Sequence, residues 1–166
     1  MKRLALILLL ALAVVSCGEK TDGDPFSVFS GDFTARILMT CEGNQSEYVY
    51  RSEDKTISFL SPTELTGYVM RSENGEVRLC YGDISVALSE YESRLMLVNE
   101  TVFGMSPESI SSISAEQGET GTVTSVRTLE CSYRFASDGK PILISGSIDG
   151  IAFEMVFSEF SEEAQG

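Results

Sequence analysis

The sequence predicts a mainly β fold: a curved antiparallel sheet of about nine or ten strands, a half-barrel, with one or few short helices. Three observations lead there. Apolar and polar residues alternate over many short stretches, turn-forming dipeptides separate several of those stretches, and beyond residue 30 only one segment carries a helix start signal.

The first strand is the clearest. In DFTARILMTC, Phe33, Ala35, Ile37, Met39 and Cys41 fall on one side, while Thr34, Arg36 and Thr40 fall on the other, with Leu38 the exception. A period of two over this length describes a strand with one buried face. ISVALS repeats it with Ile84, Val86 and Leu88. TLECSYRF does so with Leu129, Cys131, Tyr133 and Phe135, and IAFEMVF with Ile151, Phe153, Met155 and Phe157. Weaker strands are expected over residues 47–51, 55–60, 65–71, 76–81, 94–99 and 141–148. Asn74-Gly75, Asp138-Gly139 and Asp149-Gly150 accept the positive φ angles of tight hairpin turns. The helix is expected in SPESISSISAE, with Ser106 as cap, Pro107 at the first position, and Ile110 and Ile113 on one face.

Geometry then sets a problem. Nine strands about 4.8 Å apart make a sheet roughly 40 Å wide, and one helix covers about 10 Å of it. The sheet therefore curls on itself, splits into a sandwich, or keeps an apolar hollow. Methionine is flexible enough to line an adaptable hollow, and Met39, Met70 and Met155 occupy strand positions.

The beginning of the chain has a different character. Lys2 and Arg3 precede twelve unbroken apolar residues, Leu4 to Val15. That run is too short to cross a bilayer, which takes roughly 20 residues, but it suits an export signal. It stops at Val14-Val15-Ser16-Cys17, followed at once by glycine and charge. This stretch resembles the lipobox of bacterial lipoproteins. The resemblance implies a signal peptide over residues 1–16, cleavage before Cys17, and lipid attachment at Cys17. Residues 17–29 then form a lipid-anchored tether, and residues 30–166 a single β domain. Two or more acyl chains on one residue hold a protein firmly, whereas one chain holds it marginally. The expected location is the extracytoplasmic side of a cell membrane or outer membrane.

Charge and composition exclude several functions. The chain carries 25 acidic against 12 basic residues and no histidine. Loss of Lys2 and Arg3 would make it more acidic still. Such a surface repels nucleic-acid phosphates and anionic headgroups, so nucleic acid is excluded as a partner and the membrane is reached through the anchor. Without histidine, the commonest general base and every His-based metal site are gone. The acids are scattered through turns and solvent faces, so no catalytic residue, metal ligand or cofactor is nominated and the chain reads as non-enzymatic. Beyond Cys17 the cysteines are Cys41, Cys80 and Cys131, with no C-x-x-C pair. They read as small buried residues. Strand parity makes Cys41 and Cys131 the pair a bridge would join, while Cys80 shares a face with Arg78.

FSGDFTARILM, a second strand ending in YVYRS, KTISFLSPTELTGYVM and GEVRLCYGDISVALSE follow one another in an order similar to the LolA/LolB-like lipoprotein-carrier superfamily and its lipid-anchored relatives. The matching residues are Phe59-Leu60-Ser61-Pro62 with Leu65, then Tyr81-Gly82. The resemblance implies a half-barrel whose hollow takes an acyl chain or lipoprotein, with Phe33, Ile37, Met39, Phe59, Met70 and Met155 as the lining. It also implies an arginine that holds the lid, for which Arg36 and Arg51 are candidates. An N-terminal segment in the hollow is implied as well, for which Phe26, Val28 and Phe29 are available. The alternative is an interaction module with a filled core. It would support an envelope enzyme, or pair with a second copy, through a strand edge or a surface bearing Tyr48, Tyr50 and Tyr68.

Overall fold

A computed structural model describes residues 24–118 and 121–163. The export signal and Cys17 lie outside the described residues. Eleven strands form one antiparallel sheet: β1 Phe33–Cys41, β2 Asn44–Arg51, β3 Thr56–Ser61, β4 Val69–Glu73, β5 Glu76–Tyr81, β6 Ile84–Ala87, β7 Ser112–Gly118, β8 Gly121–Arg127, β9 Cys131–Phe135, β10 Pro141–Ile148 and β11 Ile151–Glu162. Their spatial order is β6-β5-β4-β3-β2-β1-β11-β10-β9-β8-β7. The chain runs outward from β1 to one edge, crosses to the other edge, and returns strand by strand to close against its own beginning at β1–β11. The edge strands β6 and β7 do not pair with each other, so the sheet is not closed into a barrel. Among the described residues a single α-helix, α1 Arg94–Phe103, lies in the crossing between them. Among the described residues no helix is long and apolar enough to cross a membrane.

Hairpin chemistry sets the register. Asn74-Gly75 and Asp149-Gly150 have positive φ at both residues, as does Glu42-Gly43, whereas at Asp138-Gly139 only the glycine does. A two-residue turn with both φ positive twists with its strands. The inner face then reads across the sheet in rows. One runs Val86, Leu79, Met70, Ile57, Tyr50, Ala35 and Phe160; another runs Met39, Met155, Ile144, Tyr133, Val126 and Ile113. Phe160 joins this face because the β1–β11 register shifts between Arg36 and Ile37, leaving Ser158 unpaired. One extra residue reverses the parity of all that follow.

The helix is not where the start signal placed it. Residues 94–99, expected as a strand, begin α1, which buries Met96, Val98, Asn99 and Val102 against the sheet. RLMLVNETVF has apolar residues at both periods, and packing on the concave face decides for 3.6. After Ser106 the structure makes only the short 3-10 turn Pro107–Ser109. The Ser106 side chain does accept from the Glu108 N–H at 3.2 Å. From Ser112 onward, however, the backbone hydrogen-bonds to β8 instead of continuing a helix. Neither β7 nor β8 was expected as a strand, since their serines and threonines thin the apolar alternation.

All three described cysteines are free. Cys41 pairs with Phe153, Phe153 with Gly146, and Gly146 with Cys131, so the two thiols share a face three strands apart. At about 4.8 Å per strand that exceeds the Cα separation of about 7 Å at which a bridge becomes impossible. Only Cys131 is buried; Cys41 and Cys80 are half-buried. Cys80 lies on the outer face, its Sγ 3.4 Å from Ser85 Oγ.

Residues 24–29 pack into the body rather than hanging from it. Asp24 Oδ1 accepts from the Phe26 N–H at 2.9 Å. Phe26 meets Tyr133 edge-on at 4.9 Å, and Phe29 sits 5.2 Å from Phe103 and 5.6 Å from Phe33. The N-terminal segment is thus a short aromatic plug.

Candidate binding hollow

Ten helical residues span about 15 Å, while eleven strands spread over roughly 50 Å, so α1 cannot cover the concave face. What it covers is solid. Tyr48, at the middle of β2, is wholly buried. Asn99 Nδ2 donates to its Oη at 3.0 Å and to the Leu95 carbonyl at 2.8 Å, and the Tyr48 hydroxyl lies 3.2 Å from Asn99 Oδ1, to which it donates. Tyr133 Oη donates to the Val102 carbonyl at 3.1 Å. Each buried polar atom in this group has a partner, as burial demands. Desolvation raises the pKa of both phenols, and pushes Tyr50 up to about 12.

Beyond the N-terminal end of α1 the cover stops and a hollow of about 550 Å³ opens. Its apolar walls are Phe59, Leu65, Met70, Leu79, Leu88 and Leu95, and the β1–β2 hairpin with Tyr91, Glu92 and Arg94 forms its polar rim. Small-molecule sites of roughly 300–1,000 Å³ with apolar walls and a few polar groups are the common pattern. Side-chain burial declines toward this edge along one row: Ala35 and Ile57 are wholly buried, while Val86 is 57% exposed. A second hollow, about 560 Å³, lies across Tyr91 and Arg94 and reaches Leu97 and Ile151. A third, about 270 Å³ and lined by Asp24, Ser137, Asp138 and Glu162, is polar.

Of the six lining residues expected from the sequence, the structure brings Phe59 and Met70 to the hollow's wall. Phe33, Ile37, Met39 and Met155 sit on the same face but are at most 1% exposed. Met96, Val102 and Phe103 of α1, with Phe29, occupy the space above that part of the face. Arg36 is no lid residue. It lies on the outer face, Nε donating to Glu47 at 2.8 Å and Nη1 to Glu159 at 3.4 Å, and Arg51 is exposed at the end of β2. Tyr48 and Tyr50 form no surface, being buried, and Tyr68 stacks on Tyr81 at 4.7 Å.

Leu79, Leu88, Leu95, Tyr91 and Arg94 were not anticipated as site residues. Leu79 and Leu88 were legible, because both continue the apolar parity of their strands. Leu95 and Arg94 were hidden by the strand assigned to residues 94–99. Among the described residues Arg94 is the only cation in either large hollow. Its guanidinium lies 4.1 Å over the Tyr91 ring, and its Nη1 is 3.8 Å from Glu42 Oε1. Glu92 is held apart from it: the Ser89 N–H and hydroxyl donate to Oε2 at 2.9 and 2.7 Å and keep the carboxyl below its ordinary pKa. Cys41 also lines the hollow; partial burial raises its thiol pKa first and Glu42 adds to this, while Arg94 opposes both. Among the described residues no cluster of histidine, cysteine or carboxylate side chains could hold a metal.

No sequence-family profile and no curated protein sequence matches the chain. Several solved structures align with the chain at low identity. The lipoprotein LppX of Mycobacterium tuberculosis aligns with a TM-score of 0.48 at 11% identity, covering 86% of this chain and 93% of that one. An outer membrane lipoprotein-sorting domain of Vibrio parahaemolyticus gives 0.40 at 10% identity, covering 81% and 86%. A LolA superfamily protein of Nitrosomonas europaea gives 0.40 at 8% identity, covering 82% and 88%. The chain is similar to these solved structures at low sequence identity, with TM-scores below 0.5.

Proposed function

We propose that this chain is a lipid-anchored envelope protein that shelters an apolar guest, an acyl chain or the lipid portion of a lipoprotein. The guest would occupy the hollow between the N-terminal end of α1 and strands β3 to β5. Anchoring rests on the Lys2-Arg3 to Cys17 segment, with Cys17 as the acylated residue and residues 1–16 removed. Binding rests on one observation: a hollow of about 550 Å³, walled by six large apolar side chains, where the helix fails to cover the sheet. No step in this function makes or breaks a covalent bond of the guest.

The test uses residues 18–166, which keep every described residue. Titration with a fluorescent fatty acid should saturate at one probe per chain, and organic extraction of the exported protein should release lipid. Lack of uptake together with a lipid-free extract would overturn the reading. A second reading, docking of an envelope protein, draws on the open edge at β6, where Tyr81, Ile84 and Val86 are all more than half exposed. Capture of one stoichiometric protein partner, lost on Ile84→Lys, would favour it.

A further inference from the structure

The walls of the hollow say that the guest is apolar; the rim says what its other end carries. We infer that the guest is an amphiphile with an anionic head, and that Arg94 is the residue that selects it. This rests on the binding role proposed above.

Among the described residues Arg94 is the one cation bordering the hollow, and it also borders the neighbouring hollow across Tyr91. Its position is fixed without using its donors. The Tyr91 ring lies against the guanidinium at 4.1 Å, and Glu42 stands at 3.8 Å, beyond hydrogen-bond reach. Among the described residues the Arg94 side chain makes no hydrogen bond, whereas Arg36 and Arg78 make bonds of 2.8 and 2.7 Å to carboxylates on the outer surface. A guanidinium held in place with its fork unfilled is suited to a carboxylate or phosphate, which it takes bidentately.

The two carboxylates nearby do not compete on equal terms. Glu92 is occupied by Ser89. Glu42 belongs to a two-residue turn and is about half exposed, so it returns to water at little cost when the head of a guest takes its place. The chain then enters past Leu88 and Leu95 toward Phe59, Met70 and Leu79. A fatty-acid carboxylate and a lysophospholipid phosphate satisfy this chemistry equally.

The experiment is a displacement assay on residues 18–166 with three competitors of equal chain length: palmitate, 1-palmitoyl lysophosphatidic acid and monopalmitoylglycerol. The two anionic competitors should bind at least about tenfold more tightly than the neutral one. Arg94→Gln should remove that advantage, weakening both anionic competitors at least about tenfold relative to the neutral one. Glu42→Gln should strengthen anionic binding severalfold, because the guanidinium loses its resident counter-charge. The ratio of palmitate to lysophosphatidic acid separates the two head chemistries. Equal binding of charged and neutral competitors, or Arg94→Gln weakening all three alike, would overturn the inference and leave the binding role standing. Failure of every competitor would instead remove the binding role itself. Circular dichroism confirms that the variants are folded.

Discussion

The two ends of α1 meet the same sheet on opposite terms. At its C-terminal end Phe103 lies within 5.0–5.2 Å of Tyr50, Phe33 and Phe29, and the plug at residues 26–29 completes the seal. At its N-terminal end, about two turns of helix away, Leu95 faces a hollow of about 550 Å³. One strand pattern underlies both. The difference comes from what the rest of the chain supplies: aromatic residues from both termini at one end, and only a turn containing Tyr91 at the other. Stability is concentrated where the cover is complete, and the proposed guest space lies where it is missing.

That contrast breaks most visibly at Phe103. Phe103→Ala empties the centre of the aromatic cluster and should cost about 3 kcal/mol, the low end of the range for a buried phenylalanine because its own ring is only partly buried, as read from the urea midpoint. A cost near zero would mean that the closed end is not closed.

Tyr48 sits between the two ends and should show an intermediate effect. Tyr48→Phe strands a buried amide hydrogen of Asn99, at a cost of about 1–3 kcal/mol. The buried phenols also set an alkaline limit. Tyr50 ionises near pH 10 when unfolded and near 12 when folded. The unfolded state therefore loses its proton first, and the stability tied to that proton is complete below about pH 10 and falls as pH rises toward 12. A urea midpoint that held steady from pH 9 to 12 would contradict this burial. The smallest effect belongs to the hollow's rim. Leu88→Ala removes a half-buried side chain from a space that is already open, and should cost less than about 1 kcal/mol, below the range for a filled core. A cost similar to that of Phe103→Ala would show that the hollow is packed.

How much of this could be read from the sequence depends on where tertiary contacts outweighed local pattern. β1, β9 and the first half of β11 follow directly from alternation because each has one buried face and one wetter one. Asn74-Gly75 and Asp149-Gly150 follow from φ alone. The helix did not, because Leu95, Met96, Leu97 and Val98 are contiguous and fit a strand as well as a helix until the concave face is there to receive them. β7 and β8 escaped because every residue of β7 is exposed and β8 offers a single buried residue, Val126. An edge strand carries little apolar signal. Misplacing the helix had a consequence for the site. With the helix expected near Ser106, the whole inner face counted as lining, and the four residues that α1 buries could not be told from Phe59 and Met70. Arg94 was lost for the same reason.

The central claim is that the uncovered part of the concave face is a working hollow rather than a gap in packing. Leu79→Trp tests it most directly, because that half-buried side chain faces the hollow and an indole would fill it. The account predicts that fluorescent fatty-acid uptake by residues 18–166 falls at least about tenfold while the urea midpoint stays within error or rises. Undiminished uptake by a folded Leu79→Trp protein would contradict it.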